Sequence, residues 1–179
     1  HIGDNVVCTG AVRNVKLAHP YITFFVPRLF SDIVLNNSDF SLDTPPQDAV
    51  SVGLIGYGGI QHEISADNGN IVEACTKDLC AKLGLDQVPA VNKTPVLILS
   101  EQELEDARKC ENAILLNANC QTCSKTKGYP HWQQVADDLI NRGYRIAQIG
   151  GKVSRDLSPD IHGVEDMRGK TTLRQLIVI

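Results

Sequence analysis

The stretch from Asn117 to Gly151, NANCQTCSKTKGYPHWQQVADDLINRGYRIAQIGG, reads as polar loop, helix and strand in succession. Ala113-Ile-Leu-Leu116 just before it is the short apolar run that a buried parallel strand needs, which makes the whole a βαβ unit. Residues 117 to 128 are small, amide, thiol, hydroxyl or lysine, as suits a loop at the carboxyl edge of a strand, where open α/β sheets bind ligands. Pro130 fits the first turn of a helix, where its missing N–H costs nothing. Trp132, Val135, Ala136, Leu139 and Ile140 then recur at helical spacing, with Gln133, Gln134, Asp137, Asp138 and Asn141 on the other face. Gly143 is a natural stop, and Tyr144-Arg-Ile-Ala-Gln-Ile149 is the returning strand, closed by Gly150-Gly151.

Such a unit offers an anion site. The free N–H groups and positive dipole end of the helix near Pro130 suit a phosphate, with Lys127 and Lys125 adding charge. The plainer alternative is a solvated βα loop carrying solvated lysines.

Composition bounds the answer. A chain of 179 residues, 42% apolar and 21% charged, can bury one good core or two small ones. A net charge of −4 without a clustered basic stripe argues against nucleic acid as the main partner. Apolar runs stay short of the ~18 residues of a membrane span. Six cysteines without a recognisable signal peptide fit a reducing, cytoplasmic compartment better than a disulfide framework. Cys120-x-x-Cys123, with Cys110 upstream, is a weak metal or redox candidate, because no second Cys or His pair follows at zinc spacing.

Along the rest of the chain, Ile2-Gly3-Asp4-Asn5 is a turn entering a helix that Asp4 can cap and whose Val12 and Val15 can face a sheet. Tyr21 to Val26 has strand composition after His19-Pro20, and Asp32 to Leu35 suits another short strand. Ser38 to Gln47 reads as loop, Val50 to Ile55 as strand, and Gly56 to Gly59 as a flexible turn without phosphate-loop spacing. Ile71, Val72, Cys75, Leu79 and Leu83 mark a helix ending at Gly84, with Cys75 and Cys80 as small fillers. Gln87 to Leu99 is a proline-punctuated crossover. Ser100-Glu-Gln-Glu103 is a capping box opening a helix toward Cys110, and the domain boundary falls there, between 1–99 and 100–179. Thr171 or Thr172 caps a last helix.

The order of Lys127-Gly-Tyr-Pro130, a Trp-bearing helix, Gly-Tyr-Arg-Ile, Gly-Gly and Asp166-x-Arg-Gly-Lys-Thr-Thr-Leu-Arg-Gln-Leu176 resembles the nucleotide-sugar half of glycosyltransferase family 9, the ADP-heptose:lipopolysaccharide heptosyltransferases. The opening Gly3-Asp4 and the turn His19-Pro20 are similar to the same family's N-terminal motifs. The resemblance implies a GT-B architecture of two Rossmann-like α/β domains, the N-terminal one shortened and the C-terminal one incomplete, with both ends of the chain cut within the family's frame. It implies transfer of a heptose-like sugar from a nucleotide-diphosphate donor to a saccharide or glycolipid acceptor, in lipopolysaccharide or surface-glycan synthesis, at the inner face of the membrane without crossing it. No cofactor or metal is implied. Asp4 becomes the general base, with Gly3, Thr9, His62 and Glu63 on the acceptor side. Asn117, Lys125, Lys127, Gly150, Gly151, Lys152, Thr171 and Thr172 border the donor. Lys152 departs from the family, which often has an acidic residue there for the ribose hydroxyls. Two other classes compete: a non-catalytic nucleotide-sugar-binding module, and a Cys-rich metal or redox α/β protein.

Overall fold

The structure is a computed structural model that describes residues 2–52, 69–108, 112–118, 129–151 and 159–179, with side chains from Asn5 onward. It is a mixed α/β fold with parallel sheets, divided into two compact units, His1–Ser100 and Glu101–Ile179.

In the first unit, helix α1 (Ile2–Ala18) leads to strand β1 (Phe24–Phe25), a 3-10 turn over Arg28–Phe30, helix α2 (Ser31–Val34), strand β2 (Phe40–Ser41) and helix α3 (Ile71–Leu83). The strands pair in parallel, Phe24 with Phe40 and Phe25 with Ser41. Ala11, Val12 and Val15 of α1 pack into one core with Ala74, Cys75, Leu79 and Cys80 of α3, flanked by Ile22, Phe24 and Phe40. The valines of α1 therefore meet a helix more than a sheet. α3 starts where the Asn70 side chain accepts the N–H groups of Val72 and Glu73, and it stops at Gly84.

Residues 92 to 96 have no ladder partner among the described residues, and side chains bond parts of their backbone instead. Asn14, buried to 2% exposure, donates to the Asn92 carbonyl at 2.8 Å and accepts the Asn92 N–H at 2.8 Å, while its amide also reaches Thr76 Oγ1 at 3.0 Å. Thr9 accepts the Val96 N–H at 2.7 Å, and Asn70 donates to the Lys93 carbonyl at 2.8 Å. Gly10 lies directly beneath this segment. A Cβ there would collide with the Thr94 carbonyl and come within 2.8 Å of Val72 Cγ1.

The second unit comprises α4 (Glu101–Arg108), β3 (Ala113–Leu116), α5 (Trp132–Asn141), β4 (Arg145–Gln148), β5 (Glu165–Asp166) and α6 (Leu173–Val178). Its sheet runs β3-β4-β5, all parallel: Ala113 to Leu116 pair with Arg145 to Gln148, and Ala147-Gln148 with Glu165-Asp166. The apolar face of α5, centred on Ala136, packs with Leu116, Ala118, Ile146 and Ile161, and Trp132, Leu139 and Ile140 seal the edge. Gly143 ends the helix at φ 86°, a left-handed conformation that any Cβ disfavours. There its N–H meets the Ile140 carbonyl, and that of Tyr144 meets Leu139, the paired bonds of a Schellman stop. Arg174 of α6 holds Glu103 of α4 through both carboxylate oxygens, at 2.6 and 2.7 Å. Both side chains are largely buried, so this pair is shielded from solvent screening.

Several expectations change. Residues 32 to 35 lie largely in α2 rather than a strand, since a short apolar run cannot declare its own period and Ile33 and Val34 can bury from one helical turn. The strand expected over Tyr21–Val26 shrinks to Phe24–Phe25, and its partner Phe40–Ser41 arises within the expected loop. Residues 50 to 52 form no strand, and the remainder of that expected strand with the Gly56–Gly59 turn lies outside the described residues. α1 already begins at Ile2, so Asp4 stands in its first turn instead of capping it. Pro130 precedes α5 by two residues, in a turn that ends at His131. β5 had no sequence signal, because Glu165-Asp166 is hydrophilic and its pairing comes from the neighbouring strand.

Replacing Asn14 with Ala should strand both backbone groups of Asn92 and cost about 2–4 kcal/mol, read as a lower urea midpoint at unchanged slope. Gly10→Ala should also destabilise, by roughly 1–3 kcal/mol. Overpacking there outweighs the gain in helix propensity, which is at most about 1 kcal/mol.

Candidate active site

Three parallel strands present their carboxyl ends on one edge, and the ladder carries slightly past each of them. Ile149 donates to the Leu116 carbonyl at 2.9 Å, Met167 to Gln148 at 2.8 Å and Gly169 to Gly150 at 2.8 Å. Asn117, exposed just beyond β3, is thereby brought to the same edge as Gly150-Gly151 beyond β4 and Gly169 to Thr172 beyond β5. The two glycines leave backbone uncovered, which lets a ligand approach the main chain. Thr172 accepts the Gln175 N–H at 3.1 Å while Gln175 accepts the Thr172 N–H at 2.8 Å, a capping box that starts α6.

The loops behind this edge are held by side chains that sequence reasoning did not single out. Gln133 in the first turn of α5 accepts the His162 N–H at 2.8 Å and donates to the His162 carbonyl at 3.2 Å. Gln148, fully buried in β4, donates to the Pro159 carbonyl at 3.0 Å. Arg168, with 3% of its side chain exposed, donates to Asp166 at 2.8 and 3.1 Å and to Asp160 at 2.7 Å. The Asp166 hydrogen bonds, then that of Asp160, push the guanidinium pKa up. An upward shift stabilises the fold fully below the unfolded-state pKa and is lost only as pH rises through the still higher folded-state one, so this arginine stays charged at any working pH. The signal that could have found it was the Asp-x-Arg-Gly spacing itself: a carboxylate two residues before an arginine in a turn can brace that turn.

Tyr129, 48% exposed, sits just ahead of α5. Its ring meets those of His131 and Trp132 edge-to-face, with centroids 5.5 and 5.6 Å apart.

Lys125, Lys127, Lys152, His62, Glu63, Cys110, Cys120 and Cys123 lie outside the described residues. Among the described residues no group of acidic, His or Cys side chains could hold a metal, and no helix is long and apolar enough to cross a membrane. In the first unit, Gly3 and Asp4 occupy the first turn of α1. Thr9 is fully buried; its hydroxyl donates to the Val6 carbonyl at 2.7 Å and accepts from Val96, so it serves the fold of that unit.

The fold is thus of a mixed α/β class whose three-stranded parallel sheet carries Asn117, Gly150-Gly151 and Gly169 to Thr172 at its carboxyl edge. No protein-family model and no curated protein matches the sequence. Among solved structures, the chain is similar to the crystal structure of the glycosyl transferase family 9 from Veillonella parvula DSM 2008, with a TM-score of 0.64 at 15% identity over 99% of this chain and 70% of that one. At that identity the likeness is one of fold.

Arg168→Met should remove the hydrogen bonds that tie Asp166 and the exposed Asp160 to the turn and lower stability by about 1–3 kcal/mol. Arg145→Ala, which removes an exposed cross-strand pair with Glu165 at 2.8 Å, should cost less than about 1 kcal/mol. Thermal melts of the two variants side by side test whether burial sets the difference.

Proposed function

We propose that this chain is a glycosyltransferase that moves a sugar from a nucleotide-diphosphate donor to a hydroxyl acceptor. The observation that carries the proposal is the fold likeness to a family 9 glycosyl transferase over nearly the whole chain. The carboxyl edge of the parallel sheet β3-β4-β5 supports it, being the place where α/β sheets of this kind take a nucleotide. The second unit is the donor half. Lys127, with Lys125, faces the diphosphate near the start of α5, and Gly150, Gly151, Lys152, Asn117, Thr171 and Thr172 border the nucleoside. The first unit is the acceptor half, with Asp4 as base and His62 and Glu63 beside the acceptor, and the two together make a GT-B enzyme. A heptose-like sugar and a saccharide or glycolipid acceptor of surface-glycan synthesis are the finer assignment, and the motifs of the sequence support them.

Asp4 takes the proton of the acceptor hydroxyl as its oxygen bonds to the anomeric carbon. The bond from that carbon to the diphosphate breaks, and the nucleoside diphosphate leaves with the electron pair. Lysine charge and helix N–H groups stabilise the departing diphosphate.

The test is transfer by the whole protein from a panel of nucleotide sugars, read as released nucleoside diphosphate. Lys127→Ala should weaken nucleotide binding by about 1–3 kcal/mol in calorimetry with little change in melting temperature. Asp4→Asn should lower turnover roughly 10²–10⁴-fold while donor affinity stays within a few-fold. Full activity of Asp4→Asn would move the base to Glu63 or His62, and no nucleotide binding at all would overturn the assignment.

A further inference from the structure

From the aromatic group ahead of α5 we infer that Tyr129 is the platform on which the transferred sugar ring of the donor stacks. The inference rests on the donor assignment above and deepens it. Tyr129 follows β3 and precedes the first turn of α5, so the βαβ connection places it on the carboxyl edge that Asn117 and Gly150-Gly151 share. About half of its surface is open although two other rings, His131 and Trp132, brace it. An exposed aromatic that is immobilised by neighbours, rather than folded onto the core, loses little freedom when a ligand lands on it.

The class of ligand follows from position. The edges beyond β4 and β5 are glycine backbone and capped hydroxyls, suited to the polar ribose and phosphate groups. Tyr129 is an exposed apolar surface at the α5 end of that edge, three residues before the helix opens at Trp132. A sugar ring carries an apolar C–H face and a polar rim. Stacked on Tyr129, it would bring its polar rim toward the exposed, hydrogen-bonding His131 ring that touches the tyrosine.

The chain supplies its own reporter, since Trp132 is its single tryptophan and touches the Tyr129 ring. The experiment titrates the whole protein with a nucleoside diphosphate, with the corresponding nucleotide sugar and with the free nucleoside, following Trp132 emission and heat. In wild type the nucleotide sugar is expected to change the emission more than the diphosphate does and to bind more tightly. Tyr129→Ala should weaken the nucleotide sugar about 5–50-fold and the diphosphate less than twofold, and Tyr129→Phe should restore binding, which a hydroxyl-dependent role would not allow. Equal weakening of both ligands, or a response to the nucleoside alone, would overturn the sugar assignment and make the ring a base contact. If wild type binds none of the three, the donor assignment itself fails. Melting temperatures of both variants separate these outcomes from loss of fold.

Discussion

One side-chain amide of α1, closed on one loop residue, holds the first unit together. Asn14 offers a carbonyl and an amide at the spacing of a backbone peptide, and Asn92 answers with its own N–H and C=O, so a segment with no ladder partner among the described residues is paired as though it had one. Removing that clasp would leave half-buried backbone groups without their partner, a large loss for a small unit. Gly10 complements the clasp sterically, because the segment can come down on α1 only where no side chain stands. The second unit repeats the device with a longer residue: Gln133 serves both backbone groups of His162 and so ties the start of α5 to the loop before β5.

Charge is used differently at the two buried arginines of the second unit, Arg168 and Arg174. Arg174 and Glu103 join the last helix to α4 through two parallel bonds, a geometry that lysine could not supply. Arg168 instead spans two carboxylates, one beside it in the turn and one across the loop, and converts a hydrophilic stretch into a rigid edge. Both arginines lie within the motif that carried the resemblance to family 9, yet their work is architectural. A motif can therefore survive for the shape of a site as well as for its chemistry.

The legible part of the fold was the part written in period and punctuation. Ala113–Leu116, the amphipathic face of α5, the stops at Gly84 and Gly143 and the cap at Thr172 each express a local rule, and each stands where that rule put it. What was illegible depended on a partner. Phe40–Ser41 and Glu165–Asp166 are strands because another strand lies beside them, and two-residue runs carry no period of their own. The residues that open the candidate site, Asn117 and Gly150-Gly151, were readable as loop ends after strands. Gln148 and Gln133 were not, because their partners lie 11 and 29 residues away and sequence spacing does not reveal them; for Arg168 spacing offers Asp166 but not Asp160 across the loop.

The way β5 is held has a consequence for how this chain can vary. Its ladder is too short to set its own register, so that task falls to fixed points on either side: Gly150 against Gly169, Gln148 against Pro159, and Gln133 against His162. A substitution that loosens any one of these contacts therefore acts on β5 as a whole, so these fixed points are where the chain can vary least.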